Sequence, residues 1–159
     1  MLHIMATLFL DPVTNQIAGF LNEIGLLVCL GGVPSQTFLP GIHIARGVMV
    51  VDEAKLTYPG DLLHEAGHLA VTPAAQRNSL DGDSGENGGE EMAAIAWSYA
   101  AAVHLGLPPD VVFHDAGYRG GSRSLIENFG AGRYIGVPFL KWIGLTSDAY
   151  PEMTRWLRD

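Results

Sequence analysis

The stretch DLLHEAGHLA, residues 61–70, constrains this chain more than any other, because it combines clear helix boundaries with polar residues at fixed spacing. The residues at 59–61, Pro-Gly-Asp, predict where a helix begins, and Thr72-Pro73 predicts where it ends. On an α-helix, residues four apart lie on one face, so His64 and His68 direct their imidazoles at a single point. The sequence therefore predicts a helix that presents two converging histidines.

This geometry suits zinc, which binds histidine nitrogens at about 2.0–2.1 Å. Glu65 follows the first histidine directly, where its carboxylate reaches a metal-bound water without binding the metal, as in the HExxH pattern. The competing interpretation is an ordinary helix with two unconnected histidines, since the bare pattern also occurs by chance. The small residues Ala66 and Gly67 favour a metal site. Gly67 costs about 1 kcal/mol relative to alanine inside a helix, which indicates the close approach of a second helix.

A zinc site needs a third protein ligand, and the alanine-rich segment 90–105 offers two carboxylates at its start. We predict a helix there, opened by acidic residues that also suit a helix N-terminus without any metal. Glu91 is the preferred ligand because the residues on its face are small, whereas the face of Glu90 contains the bulky Trp97. Glu90 stays an alternative, and Glu86 is less favoured because it lies in a glycine-rich loop rather than on a helix.

The remaining pattern predicts an α+β domain. Asp11-Pro12 predicts the start of a first helix, and Gly25 predicts its end. Arg46-Gly47 separates two β-branched runs by the spacing of a tight hairpin. Three short apolar runs together predict a small antiparallel or mixed sheet: residues 26–30, 42–45 and 48–51. The other predicted elements are a mobile loop over 76–89 and C-terminal helices over 122–129 and 150–157.

Composition bounds the domain organisation and the partners. A chain of 159 residues with 48% apolar residues suits a single domain, 1–159. Nine basic against 17 acidic residues give a net charge of −8, which argues against nucleic acid and anionic membrane surfaces as partners. The first residues lack the features of a secretory signal, and no apolar run reaches the roughly 18 residues of a membrane span, so we expect a cytoplasmic protein. Cys29, the one cysteine, is expected to be a small buried hydrophobe.

A small sheet, an HExxH helix and a glutamate on a second helix about twenty residues later resemble the zincin fold, in its glutamate-ligand (gluzincin) branch. The residues that carry the resemblance are HEAGH at 64–68 and EMAAIAW at 91–97, and it covers residues 42 to about 105. It implies a small bacterial-type metallopeptidase in which Zn²⁺ is held by His64, His68 and Glu91, with Glu65 as general base.

The resemblance also implies residues outside these two helices. In such peptidases a tyrosine or histidine beyond the ligand helix commonly stabilises the oxyanion, and the loop 112–119 offers His114, Tyr118 and Arg119, of which Tyr118 and His114 are the candidates. An extended substrate is expected to pair with an edge strand of the 42–51 hairpin. One departure concerns the polar residue that the family often carries four positions after the glutamate ligand. Here that position is Ile95, or Ala94 if Glu90 is the ligand, so support for a ligand histidine must come from elsewhere.

The expected function is a zinc-dependent hydrolase acting on peptide bonds of a peptide or protein substrate. A metal-binding sensor or interaction domain with little or no hydrolytic activity is the alternative, favoured by the small size of the chain and by the polar residue missing at Ile95. Hydrolysis of a small non-peptide amide is a third possibility that the residues do not separate from peptidase activity.

Overall fold

Six helices and three short strands are formed by residues 8–82 and 88–159, the part of the chain that the computed structural model describes. The helices are α1 (Pro12–Ile24), α2 (Asp61–Val71), α3 (Ala74–Arg77), α4 (Gly88–Leu105), α5 (Ser122–Gly130) and α6 (Val137–Trp142). The strands are β1 (Val28–Leu30), β2 (Ile42–Ala45) and β3 (Val48–Val51). The predicted α+β class is therefore confirmed.

Helix α1 begins and ends where its capping residues predict. The Asp11 carboxylate accepts a hydrogen bond from the Thr14 amide at 2.8 Å, and proline occupies the first turn. At the other end, Gly25 has φ 102°, and its N–H donates to carbonyls of the last turn. A residue with a side chain is strained at that φ, which is why glycine ends the helix here.

The sheet is mixed, with the strand order β1-β3-β2. β2 and β3 form the predicted antiparallel hairpin, and β1 lies parallel to β3. The turn between β2 and β3 consists of Arg46 at φ 49° and Gly47 at φ 77°, as the right-handed twist of a two-residue hairpin requires. Only one face of the sheet is covered, and Cys29 lies on the open face. The expectation that Cys29 is buried is wrong, because its strand alternates between the two faces rather than lying between two layers.

Helices α2 and α4 form the centre of the core. All eleven residues of α2 are buried, including its three polar residues of the HExxH pattern. The helices touch at Gly67, where a Cβ atom would lie 2.7 Å from the Ala94 carbonyl oxygen. The prediction that Gly67 permits close approach of a second helix is thus confirmed, and this contact sets the distance between the two helices that carry the candidate site.

Helix α4 begins at Gly88, two residues before the predicted start. Before it, residues 80–82 run beside β2: the Gly82 amide donates to the Ile44 carbonyl at 2.7 Å, and Gly47 donates to Leu80 at 3.0 Å. This part of the predicted mobile loop is therefore bonded to the sheet. Residues 83–87, with the candidate ligand Glu86, lie outside the described residues.

The C-terminal region differs from the prediction. α5 is present, but the helix predicted over 150–157 is not formed, and the last helix is α6. The backbone near the end bonds to earlier segments instead: Thr154 N–H donates to Leu145 at 2.9 Å, and the Trp156 carbonyl accepts from the indole of Trp97 at 2.9 Å. The Tyr150 hydroxyl donates to the Ala96 carbonyl at 2.7 Å. These contacts with α4 and with residue 145 replace the bonds that a helix would make.

No helix among the described residues combines the length and the apolar character needed to cross a membrane.

Candidate metal site

Three side chains from α2 and α4 converge in the interior of the molecule. The Nε2 atom of His68 lies 2.6 Å from Glu91 Oε2, and the Nε2 atom of His64 lies 3.4 Å from Glu91 Oε1. One potential ligand atom from each residue falls within 4.8 Å of the others. The structure therefore brings together the two histidines of the HExxH helix and the glutamate that the sequence favours.

The second helix selects Glu91 over its neighbour. Glu91 points at both histidines, whereas Glu90 does not belong to the cluster formed by the described residues. Glu90 still acts from nearby, since its negative charge contributes to the raised pKa of His68. Adjacent residues on a helix differ by about 100° in direction, so only one of the two can face α2.

The pKa values of the two histidines are shifted in opposite directions. Burial disfavours the charged form of His64 and, with the positive charges of His68 and His114, lowers its pKa from 6.5 to about 4 against the opposing effect of Glu91. Burial acts in the same direction on His68, but the hydrogen bond that His68 donates to Glu91 and the charges of Glu91, Glu65 and Glu90 outweigh it and raise its pKa. His64 is therefore neutral over most of the pH range, with one ring nitrogen unprotonated.

Glu91 is held as a carboxylate. Its partial burial raises the pKa, but the hydrogen bond with His68 and the electrostatic interactions with His64, His68 and Arg119 outweigh that effect and lower it. Its side chain keeps 42% of its surface exposed, while those of the histidines keep 9% and 5%. The site therefore combines two buried nitrogens with a carboxylate that remains in contact with solvent.

These residues could hold a metal ion. Two imidazoles and one carboxylate are a ligand set of catalytic zinc sites, which leaves one position for water. Tetrahedral ligands about 2.1 Å from an ion lie about 3.4 Å apart, and the His64–Glu91 separation is 3.4 Å. The closer His68–Glu91 contact is a hydrogen bond that an ion would replace.

Glu65 lies on α2 between the two histidines and is 4% exposed. Its negative charge contributes to the raised pKa of His68, which places the carboxylate within electrostatic range of the cluster. The Glu65 carboxylate therefore has little bulk water around it.

Tyr118 contacts His64 on the side of the ring that faces away from Glu91. Its hydroxyl is 3.1 Å from Nδ1 of His64, the ring nitrogen on the opposite side from the Nε2 atom that faces Glu91. The two rings are perpendicular, with centroids 5.2 Å apart. In this position the hydroxyl contacts one candidate ligand, His64, and does not face the space between the three candidate ligand atoms.

His114 lies at the N-terminus of α2, where it contacts Asp61. Its Nε2 atom lies 2.7 Å from Asp61 Oδ1, and the ring stacks on Tyr58 at 3.7 Å. Its Nδ1 atom has no hydrogen-bond partner among the described residues. Burial raises the pKa of Asp61 in spite of the lowering effect of His114. His114 also lines a surface cleft of about 600 Å³, together with acidic residues of the 110–115 segment and α5.

The sequence prediction missed three residues around this site: Asp61, Tyr58 and Ser98. Asp61 and Tyr58 hold His114, and Ser98 hydrogen-bonds Tyr118 from α4. Asp61 carries the ordinary signal of an acidic residue in a first helical turn, which says nothing about a partner 53 residues away. The others carry no local signal, because each contact joins distant segments of the chain.

Comparison with models of known protein families, with curated protein sequences and with solved structures found no match to this chain.

Proposed function

We propose that the protein is a zinc-dependent hydrolase that cleaves peptide bonds. The observation that carries the proposal is the convergence of His64, His68 and Glu91, with Glu65 on the same helix as the two histidines. A purely structural zinc site is closed by four protein ligands, whereas three protein ligands leave a position for water.

Each side chain then has a distinct task. His64, His68 and Glu91 would hold the ion, and Glu91 is already ionised by the positive charges around it. Bound zinc would supply a water of lowered pKa and polarise the scissile carbonyl. Glu65 takes the proton of the attacking water and passes it to the leaving amine, and its burial keeps bulk water away from that transfer.

The zincin-like fold is part of the same proposal. An extended substrate would pair with an edge strand of the sheet, and the edges are β1 and β2. On β2 the outward N–H and C=O of Ile44 already bond to Gly82 at 3.2 and 2.7 Å. A substrate that pairs with β2 at this point must displace Gly82.

The alternative function is metal-dependent binding or sensing without hydrolysis. It draws on Ile95, which is 8% exposed and offers no polar side chain four residues after Glu91. It also draws on Tyr118, whose hydroxyl faces His64 Nδ1 and leaves the oxyanion without an identified donor.

Glu65→Gln separates the two functions. The substitution keeps the shape of the side chain and removes the base, so zinc content should stay stoichiometric while cleavage of an unfolded, dye-labelled protein falls about 10²–10⁴-fold. Glu23→Gln, at an exposed position of α1, is the matched control and should change neither quantity.

Two results would contradict the proposal. Absence of stoichiometric transition metal from protein purified without chelator rules out the site, and so does an unchanged metal content in His64→Ala. Stoichiometric zinc with no cleavage of unfolded protein or of a peptide library, in parent and Glu65→Gln alike, rules out the hydrolase and leaves the binding function.

A further inference from the structure

A cleft of about 600 Å³ lies beside the N-terminus of α2. Its walls come from the 110–116 segment, from helix α5 and from Tyr58, which lies shortly before α2. The volume falls in the range of about 300–1,000 Å³ that is usual for ligand sites. None of the three candidate metal ligands lines the cleft, so it is distinct from the candidate metal site.

The walls of the cleft are held in place by contacts within the protein. His114 is bonded through Nε2 to the buried Asp61 at 2.7 Å, and its ring stacks on Tyr58 with a centroid distance of 3.7 Å. The His114 carbonyl accepts a hydrogen bond from the buried hydroxyl of Ser122, the first residue of α5. His114 thus ties the 110–116 segment to both helices, and the cleft is formed before any ligand binds.

The charged side chains that line the cleft are mostly negative. Asp110, Asp115 and Glu127 carry carboxylates, and Arg123 carries a positive charge. All four residues are exposed, and no ion pair among the described residues includes any of them. Arg123 lies one turn before Glu127 on α5 and offsets part of its charge. Asp110 and Asp115 are left without a compensating cation, so the cleft attracts a positively charged ligand.

The uncharged part of the lining suits a cation that carries a carbon stem. Tyr58 and Ile126 line the cleft and are half-buried. The face of a tyrosine ring attracts a cation, most often a guanidinium. Arginine and lysine side chains also lay their methylene groups along apolar surface while the charged end stays among polar groups. A basic side chain therefore matches both the charge and the apolar surface of the cleft.

The cleft lies close to the candidate metal site. Asp61, the partner of His114, comes three residues before His64 on α2, which is about 4.5 Å along the helix axis. Further along the loop that follows His114, the Tyr118 hydroxyl lies 3.1 Å from His64 Nδ1. An extended peptide advances about 3.3–3.6 Å per residue, so a side chain about two to four residues from a bond held at the metal site reaches the cleft.

We propose that the cleft binds an arginine or lysine side chain of a peptide, and that Asp110 and Asp115 select the cation. The role of the cleft in substrate choice rests on the proposed function, because it makes basic peptides the substrates of the hydrolase. Binding of the basic side chain does not itself require the metal.

Binding is measured by ¹H–¹⁵N NMR titration of the full-length protein with three small probes. These are the Nα-acetyl amides of arginine, leucine and glutamate, which differ in charge at the end of the side chain. The arginine amide should shift the amide signals of residues 110–127 until they saturate, because it brings a cation to the cleft. The leucine and glutamate amides should leave these signals unchanged.

Two variants of the cleft have opposite expected effects. Asp110→Asn/Asp115→Asn removes both uncompensated charges and keeps the size of the side chains. The loss of two exposed ion pairs should weaken binding of the arginine amide about 2–30-fold. Arg123→Gln removes a repelling charge and should strengthen binding by up to about fivefold. The matched control, Glu23→Gln/Glu152→Gln, removes two carboxylates at exposed positions outside the cleft and should leave binding unchanged.

Cleavage provides a second readout. The parent should cleave peptides that carry arginine or lysine two to four residues from the cleaved bond with a higher kcat/KM than their leucine counterparts. Asp110→Asn/Asp115→Asn should lose this preference mainly through KM, because the cleft lies away from the reacting atoms.

The inference is overturned if the arginine amide does not bind, or if the control variant weakens its binding as much as Asp110→Asn/Asp115→Asn does. Tighter binding of the glutamate amide, lost in Arg123→Gln, would identify an anion site and overturn it as well. If Asp110→Asn/Asp115→Asn does not fold, as judged by circular dichroism, the direction of the change in Arg123→Gln decides. Arginine binding in a protein that cleaves no peptide supports the cleft and contradicts the proposed function, whereas cleavage without arginine binding contradicts the cleft alone.

Discussion

Replacing Gly67 with alanine tests how tightly α2 and α4 are packed. A Cβ at this position would lie 2.7 Å from the Ala94 carbonyl oxygen and 3.1 Å from its Cα. These are backbone atoms in the middle of α4, so the clash is relieved only by moving one helix. Overpacking of this kind costs about 1–3 kcal/mol, and alanine regains about 1 kcal/mol through helix propensity. The two effects leave a net loss of up to about 2 kcal/mol in the free energy of unfolding.

The assay is urea denaturation of the metal-free protein at neutral pH, together with thermal unfolding. For a chain of this size a loss of this magnitude corresponds to a fall in Tm of up to about 8 °C. Gly130→Ala is the matched control, since this glycine is the last residue of α5 and a Cβ there would meet nothing within 4 Å. It should be neutral or slightly stabilising.

Gly67→Ala should also weaken zinc binding, because Glu91 lies one turn before Ala94 and moves with α4. A stabilisation of about 1 kcal/mol, the result typical of a glycine on an open helix surface, would refute the close contact between the two helices.

Three further predictions concern charged groups around α2. The pKa of His64, about 4 in the folded protein against 6.5, means that the unfolded state binds the proton more readily; stability should fall as pH drops from 6.5 towards 4, by about 3 kcal/mol at most. The raised pKa of His68 acts in the opposite sense and at higher pH, because its contribution is present below pH 6.5 and is lost as pH rises through the folded pKa. In urea titrations His64→Gln should therefore reduce the acid loss, and His68→Gln should reduce the loss of stability above pH 6.5. Asp61→Ala removes the 2.7 Å partner of His114 and should cost about 1–3 kcal/mol, with faster amide exchange over residues 112–121. Arg77→Met removes hydrogen bonds to three backbone carbonyls, two near the end of α2 and one in the last residues of the chain, and limited proteolysis should then cut the C-terminal segment sooner.

Local signals in the sequence predicted the elements whose ends depend on neighbouring residues. Asp11 and Gly25 bound α1 because capping is a contact over three or four residues, and Arg46-Gly47 makes the hairpin for the same reason. The spacing of His64 and His68 predicted convergence because a helix fixes it. Gly67 then predicted a close neighbour, and the structure identifies that neighbour as α4.

These local signals did not predict contacts between distant segments of the chain. The parallel pairing of β1 with β3 joins residues about twenty apart, and nothing within either strand selects it. Helix α6 was missed although Gly136 and Pro138 precede and open it, a recognisable start signal. The helix predicted over 150–157 is wrong, because the side chain of Tyr150 and the backbone at Trp156 are bonded to α4 instead.

Tyr118 shows the same limit at the site itself. Its residue type and its place after the second helix predicted a group near the candidate site, and its hydroxyl lies 3.1 Å from His64 Nδ1. Which side of His64 it would occupy depends on the turn at 118–119, where both residues have positive φ, and this turn is not visible in the local sequence.

Zinc titration by calorimetry tests the central claim most directly, in the parent protein and in two neighbouring variants. The parent should bind one zinc ion per chain, Glu91→Ala should lose this site, and Glu90→Ala should keep it with an affinity within a few fold of the parent. Absence of stoichiometric binding in the parent would contradict the site. Loss of binding in Glu90→Ala with retention in Glu91→Ala would contradict its geometry.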